Sequence, residues 1–245
     1  MNLFVIPAFN EEGNLPRLFA DLEERPELWT GGHVILVDDG STDATAEIIA
    51  AYSGPVPLML VRQIRNQGPG RAFDRGFRRA LAIAAPGDLV ITLESDTTSD
   101  LDAVTPMIEA ARAGSDVVLA SHHDTGGELV GVTGFRKFMS QAASYAIRRG
   151  AGLDARTVSS FFRVYRAQAL HDGYARHGDL FIRESGFACK AEILIKLDRM
   201  GATITEVPVA LDWTRREGES KLRVVPTVGG YARVMARQAT ARRAP

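Results

Sequence analysis

The sequence predicts an α/β protein: a single Rossmann-like, mostly parallel sheet flanked by helices, with a mixed second half. Two observations predict it. Short runs of apolar residues without polar alternation, such as Val34-Ile35-Leu36-Val37, recur with room for a helix between them. Strands buried on both faces of a parallel sheet read this way. Between those runs, apolar residues return at three- and four-residue spacing, the mark of a helix with one covered face.

Taken in order, residues 3–6 form the first strand, and Asn14 is the expected cap of a helix carrying Leu15, Leu18, Phe19 and Leu22. Residues 34–37 are the second strand, after which Ser41 or Thr42 is expected to cap a helix with Ala44, Ile48 and Ile49. Residues 56–61 form a third strand, which Pro57 places at a sheet edge or at its own start. Phe73, Phe77, Ala80, Leu81 and Ala84 mark a helix, and residues 89–93 a fourth strand. Val104, Met107, Ile108 and Ala111 mark another helix, and residues 117–120 close the series. Beyond about residue 120 the pattern changes. Gly126, Gly127 and Gly131 indicate a loop, followed by a helix at 134–149, a strand at 161–165, a helix at 187–200, a strand at 203–209 and a C-terminal helix near 226–240. With no repeat, low-complexity stretch or linker, one domain is expected.

Composition narrows the class. The chain has 245 residues, a formal net charge of −1 and 45% hydrophobic residues, enough for one full-sized core. A charge near zero argues against nucleic acid as a partner, because phosphate contacts need a basic surplus. The single cysteine, Cys189, excludes an internal disulfide framework and fits a reducing compartment. No apolar run approaches the roughly 18–20 residues that span a bilayer. The opening "MNLFVIPAFNEE" lacks a basic n-region, so a cytoplasmic location is expected.

Three polar clusters follow strands 1, 2 and 4: "PAFNEE" (7–12), "DDGSTD" (38–43) and "ESD" (94–96). In an open parallel sheet the carboxyl ends of the strands form the ligand crevice. Turn and cap chemistry alone accounts for "DDGSTD", but three clusters on one edge point to a shared ligand. The first turn holds one glycine, which disfavours a dinucleotide fingerprint, and no phosphate-binding G-x-x-x-x-G-K-[ST] occurs. Acids at this edge suit ribose hydroxyls, a base edge and a divalent cation screening a diphosphate. Glu94 and Asp96 lie two apart on an extended chain and so share one side. Mg2+ or Mn2+ there would offset their repulsion; otherwise they sit in a solvated turn.

The ordered set "VIPAFNEEGNLPRL", "VILVDDGSTDAT", "NQGPGRAFDRGFRRA", "DLVITLESD" and "GFACKAEILIKLDRMGATITEVPV", closed by "REGESKL", resembles the family 2 glycosyltransferases of GT-A fold. The narrower similarity is to the dolichyl-phosphate mannose synthase-like branch, which transfers sugars to polyprenyl phosphates. The resemblance implies a GT-A domain over 1–223, with a nucleotide-sugar half (1–120) and an acceptor half (121–223), followed by a basic helix or tail at 224–245. It implies that Pro7, Ala8, Phe9, Glu11, Asp38, Asp39, Asn66, Gly68, Arg71 and Ser95 hold the nucleotide, Phe9 standing where the family usually has Tyr. Asp96 matches the metal ligand of the D-x-D motif, with Glu94 replacing its first Asp and Thr98 a common Gln. Arg136, Ser140 and Ser220 match positions near the acceptor, and Arg215 and Lys221 fall in a late loop that closes over the diphosphate. His122, after Ser121, stands where the family often has a permanent cation; His122 and His123 supply conditional charge to the acceptor or are ordinary polar surface. Ser160 replaces a common Gly.

The implied reaction is an inverting, metal-dependent transfer from GDP-mannose or a UDP-sugar to a polyprenyl phosphate. A hydroxyl acceptor, such as a polysaccharide or natural product, would need a base, and Glu184 or Glu192 is the candidate. A third reading is a silent nucleotide-sugar binder. The C-terminal segment interleaves Arg215, Arg216, Lys221, Arg223, Arg233, Arg237, Arg242 and Arg243 with Val224, Val225, Val228, Tyr231, Val234 and Met235. It reads either as a peripheral contact with the anionic inner membrane face or as a solvated end.

Overall fold

The computed structural model describes residues 1–122, 128–130, 144–145, 147–215, 217 and 224–241. Its strands are β1 (Asn2–Ala8), β2 (His33–Asp38), β3 (Leu58–Arg62), β4 (Leu89–Thr92), β5 (Val117–Ser121), β6 (Glu128–Val130), β7 (Arg163–Arg166), β8 (Ile204–Pro208) and β9 (Ala210–Asp212). Its helices are α1 (Leu15–Glu23), α2 (Pro26–Trp29), α3 (Thr45–Ala51), α4 (Pro69–Leu81), α5 (Val104–Arg112), α6 (Ala167–His177), α7 (Cys189–Arg199) and α8 (Val224–Ala241). The central sheet runs β3-β2-β1-β4-β7-β5-β8, and β6 pairs with β9 in a separate ribbon. Every pairing in the central sheet is parallel except those of β7, which lies antiparallel between β4 and β5.

Alternation along each strand divides the core into two layers. Leu3, Val5, Ile35 and Val37 face α4, α6 and α7 through Phe73, Phe77, Leu170, Ile193 and Leu194. Phe4, Ile6, Val34 and Leu36 face α1, α3 and α5 through Leu15, Leu18, Phe19, Leu22, Ile49 and Met107. The four buried side chains of α1 contribute roughly 1.5–3 kcal/mol each as an upper bound.

Several boundaries differ from the sequence reading, each for a local reason. Asn14 occupies the N-cap of α1 but makes no side-chain cap; its amide is engaged elsewhere, as described below. Ser41 and Thr42 do not cap α3. They tie the turn to Asn10, whose N–H donates to Ser41 Oγ at 3.0 Å and whose Oδ1 accepts from Thr42 N–H at 2.8 Å. Asp43 Oδ1 instead accepts from Thr45 N–H at 3.0 Å, and α3 begins there, leaving Ala44 exposed. The loop expected around residues 126–131 contains β6. Most of the helix expected at 134–149 lies outside the described residues, although 147–151 are helical. Ala84 falls beyond the end of α4, and α6, which had no sequence signal strong enough to single out, follows β7 directly.

Helix α4 lies close on the sheet because Gly76 has no side chain. A Cβ there would come within 2.3 Å of Val5 Cγ1 and 3.1 Å of Val37 Cγ2. The helical glycine costs about 1 kcal/mol relative to alanine, which the close approach offsets through packing. Gly76→Val should therefore destabilise the fold by about 1–3 kcal/mol through overpacking. The check is a lowered urea midpoint at unchanged slope; an unchanged midpoint would contradict the close packing.

Candidate active site

Parallel register brings the three polar clusters together. Ala8 pairs with Asp38 across β1 and β2, and Val5 pairs with Thr92 across β1 and β4. Pro7 to Glu11, Asp38 to Asp43 and Glu94 to Asp96 thus leave three adjacent strands at one edge. The Asp39 N–H donates to the Ala8 carbonyl at 2.8 Å, fastening the first two turns. The Glu11 N–H donates to Thr45 Oγ1 at 2.7 Å, and its Oε2 accepts from Asn14 Nδ2 at 2.6 Å. Phe9 and Pro7 are half-buried beside them, while Ala8 and Ser95 are buried.

Asp39 organises the next loop. Its carboxylate accepts from Gln63 Nε2 at 2.7 Å, Gln67 N–H at 2.9 Å and Gly68 N–H at 2.8 Å. Burial pushes this carboxyl above the usual carboxylate range, and the two backbone donors pull it back. Gly68 adopts φ +92°, and a Cβ there would meet the Ser185 carbonyl at 2.5 Å. Gly70 N–H donates to that same carbonyl at 2.7 Å. Arg71 Nη1 reaches the Ile182 carbonyl at 3.4 Å, whereas Asn66 is exposed at the loop tip. Asp38, fully buried, accepts Ser41 N–H through Oδ1 at 2.8 Å and faces Arg62 Nε across 3.4 Å through Oδ2. A cavity of about 360 Å³ opens here, lined by Gly40, Ser41, Arg62, Gln63 and Ile64. Sequence reasoning missed Arg62, Gln63 and Gln67; their signal was position, immediately after the third strand at the same edge.

At the end of β4, Asp96 Oδ1 accepts from Thr98 Oγ1 at 2.8 Å and Thr98 N–H at 3.2 Å. Thr98, at the place of the family's Gln, therefore orients the acid. Thr97 sits at φ +59°, a left-handed conformation that costs a β-branched residue roughly 1–3 kcal/mol. Its hydroxyl donates to the Arg215 carbonyl at 3.3 Å. Glu94 has a cationic neighbour that the sequence did not reveal. Lys190, at the start of α7, is 5% exposed, with Nζ 4.6 Å from the Phe161 ring centre and 5.6 Å from that of Phe187. The Phe161 carbonyl accepts the Thr92 hydroxyl at 2.5 Å, which puts the ammonium beside the β4 terminus. Burial lowers the Lys190 pKa, and the charge of Glu94 opposes that fall. Repulsion between Glu94 and Asp96 is thus offset in part by the chain itself.

Among the described residues, no three His, Cys, Asp or Glu side chains gather as a metal cage. Glu94, Asp96 and the Thr98 hydroxyl offer hard oxygens at one strand end. Mg2+ and Mn2+ accept such a set when substrate phosphates and water complete the shell, so the residues fit the cation.

The late segment docks against the β1–α1 turn. Asn14 pairs with the Glu217 backbone in both directions, accepting its N–H at 2.9 Å and donating to its carbonyl at 3.2 Å. Arg17 Nη1 donates to the Arg215 carbonyl at 3.1 Å, and the Arg215 side chain pairs with Asp21 at 2.6 Å. Arg215 therefore stands next to Thr97 through its backbone, with its guanidinium turned to α1. His122 follows β5, two strands from β4 and so about 10 Å along the edge. Arg136, Ser140, Ser220, Lys221 and His123 lie outside the described residues.

Both carboxylates considered as a base have structural partners. Glu184, 5% exposed, takes Arg233 through two hydrogen bonds of 2.7 and 3.2 Å, with Arg237 at 3.6 Å. Glu192 accepts the N–H groups of Arg183 and Glu184 at 2.9 and 2.7 Å and pairs with Lys196 at 2.7 Å. Burial pushes the Cys189 thiol up to about 12, which leaves it inert as a nucleophile.

The mostly parallel sheet, with its acids gathered where β1, β2 and β4 end, is of GT-A glycosyltransferase architecture. The chain belongs to the family described as Glycosyl transferase family 2, which matches residues 3–173, and it is a glycosyltransferase. It is 30% identical over 224 residues to an undecaprenyl-phosphate mannosyltransferase of Micrococcus luteus, covering 90% of this chain and 86% of that protein. It is 28% identical over 221 residues to a dolichol-phosphate mannosyltransferase of Pyrococcus furiosus, covering 89% of this chain but only 58% of that protein. Its fold is shared with glucosyl-3-phosphoglycerate synthase from Mycobacterium tuberculosis, solved with Mn2+, UDP and glucosyl-3-phosphoglycerate. The TM-score is 0.63 at 19% identity, over 99% of this chain and 79% of that one.

Asp39→Ala should release the loop at 63–68, since bonds to a charged acceptor are worth about 1.5–3 kcal/mol each. Hydrogen exchange at the Gln67 and Gly68 amides should accelerate at least about tenfold while the β1 and β2 amides keep their protection. Unchanged exchange at those two amides would remove Asp39 from this role.

Proposed function

We propose that the chain transfers a sugar, with inversion, from GDP-mannose or a UDP-sugar to a polyprenyl phosphate. The observation that carries this reading is the disposition of the acids. Asp38, Asp39, Glu94 and Asp96 leave the sheet at one edge, where a nucleoside diphosphate and its cation need them, whereas Glu184 and Glu192 are committed to arginine, lysine and backbone partners. A hydroxyl acceptor needs a positioned base; a phosphate is already ionised and attacks directly. The names of the two polyprenyl-phosphate mannosyltransferases, and the Mn2+ and UDP of the solved relative, support the same assignment.

On this reading, Asp38 and Asp39 with the Gln63–Gly68 loop hold the base and ribose, and Pro7, Ala8, Phe9, Glu11, Asn66, Arg71 and Ser95 complete the nucleotide site. Glu94 and Asp96 would hold Mg2+ or Mn2+, which when bound neutralises charge on the diphosphate. An acceptor phosphate oxygen attacks the anomeric carbon from the face opposite the leaving group. The carbon–oxygen bond to the donor diphosphate breaks, and the leaving nucleoside diphosphate carries the charge that the acceptor gives up. Arg215, once it leaves Asp21, and Lys221 stabilise that charge. His122, Arg136, Ser140 and Ser220 serve the acceptor phosphate.

The acceptor places the reaction at the cytoplasmic face of a membrane. Among the described residues no helix is long and apolar enough to cross one. Helix α8 packs Val234, Tyr231 and Met235 against the core, leaving Val225 and Val228 exposed. Its apolar side is therefore divided between the core and solvent, and the exposed Val225 and Val228 join the basic residues as what the C-terminal segment would offer a membrane.

Incubation with GDP-mannose or UDP-glucose, Mn2+ and undecaprenyl phosphate should give a sugar product that extracts into organic solvent. Asp96→Ala should lower the rate at least about a hundredfold while the variant still folds, as its circular dichroism spectrum would report. Sugar appearing only on water-soluble hydroxyl acceptors, or wild-type turnover by the variant, would overturn the proposal.

A further inference from the structure

At the far end of α7 from the crevice, a cavity of about 450 Å³ is lined by Arg176, His177, Arg183, Lys196, Arg199 and Arg237. Lys190, on the first turn of α7, stands beside Glu94, and Arg199 ends the same helix. A rise of 1.5 Å per residue puts roughly 14 Å between the two. Glu192 brings the near wall closer to Lys190, but none of the lining residues belongs to the ends of β1, β2 or β4, so this cavity is distinct from the candidate active site.

The charge in it is unbalanced. Five arginine or lysine side chains line the walls, with Glu192 as the one carboxylate among the lining residues. Glu192 is already held by Lys196 and two backbone amides. The ends of α6 and α7 add about half a negative charge each. Five cations, less Glu192, Glu184 (which pairs with Arg237 at 3.6 Å) and about one for the helix ends, leave an excess of roughly two positive charges. The chain as a whole has a formal charge of −1, so the excess is local. The cations also act on one another. Burial lowers the Lys196 pKa, and Arg237 and Arg183 lower it further against the pull of Glu192. Burial lowers that of His177, with Lys196 and Arg176 adding to the effect.

We infer that this cavity is a second, anion-binding site that takes a phosphate monoester or diester group. Guanidinium groups converge on it from α6, α8 and the segment between α6 and α7, and their planar forks match phosphate oxygens. Its volume falls within the range of small-ligand pockets, and Leu180 and Met200 provide apolar wall beside the cations. The phosphate can belong to an anionic lipid headgroup or to a soluble phosphorylated metabolite. The chemistry recognised is the same, and the source is separable by experiment.

The test uses the full chain with sn-glycerol 3-phosphate in one arm and phosphatidylglycerol vesicles in the other, with phosphatidylcholine vesicles as the blank. Arg176 and Arg183 stand exposed at the rim, so Arg176→Ser/Arg183→Ser should fold normally. Arg75→Ser/Arg79→Ser, on exposed positions of α4, makes the same change in net charge as a control. Either ligand should slow hydrogen exchange within 176–200, and the rim variant should weaken binding at least about tenfold while the control does not. Binding in both arms identifies free phosphate as sufficient, and binding to vesicles alone identifies a lipid headgroup; each supports the site. Absence of binding in both arms, equal weakening by the control, or protection confined to residues 94–98 would overturn it.

Discussion

The position of β1 between β2 and β4, parallel to both, is the constraint on which the rest of the structure depends. Parallel strands end at one edge, and the right-handed crossovers between them return each helix start to that edge. β1 pairs with β2 along Leu3–Ala8 and with β4 along Asn2–Val5, and six of its seven residues are buried, so the turn after Ala8 has little freedom. Asp38 and Asp39 inherit their place through the pairing of Ala8 with Asp38, and Glu94 and Asp96 inherit theirs through β4. A register slip of one residue would reverse the faces of β1, exchanging the two core layers and dispersing the acids.

That edge collects features that would be costs elsewhere. Asp38 and Asp39 are buried carboxylates, Thr97 and Asn10 are non-glycine residues at positive φ, and Lys190 is an ammonium among phenyl rings. Each is held by its surroundings: Asp39 by three donors, Asn10 by Ser41 and Thr42, Thr97 by the Arg215 carbonyl, and Lys190 by Glu94 and two aromatic faces. Such strained or desolvated groups persist where function needs them and the fold over-determines them. The acids outside the edge serve docking. Glu184 fastens α8, and Glu192 fastens the segment that leads into α7.

The parallel half of the fold was legible because its strands are apolar throughout and its helices keep a clear apolar face. Leu15, Leu18, Phe19 and Leu22, for example, are all buried. The antiparallel insertion of β7 was not, since four residues of strand carry no sign of their direction or neighbours. Cap positions misled for a related reason. Asn14, Ser41 and Thr42 are good cap residues whose side chains bond to groups distant in sequence, a competition that local pattern does not contain. The three acidic clusters were legible as a site because each follows a strand. Lys190, Arg62 and Gln63 were not, because their role depends on which strand end they approach.

The central claim is that these three strand ends bind one nucleoside diphosphate and its cation together. Paramagnetic broadening of backbone amide signals by Mn2+, titrated in the presence of GDP or UDP, tests it most directly. Signals of residues 94–98 should broaden first, followed by those of 8–11 and 38–40, and only when nucleotide is present. Broadening centred elsewhere on the chain, or at 94–98 without any effect on the ends of β1 and β2, would contradict the account.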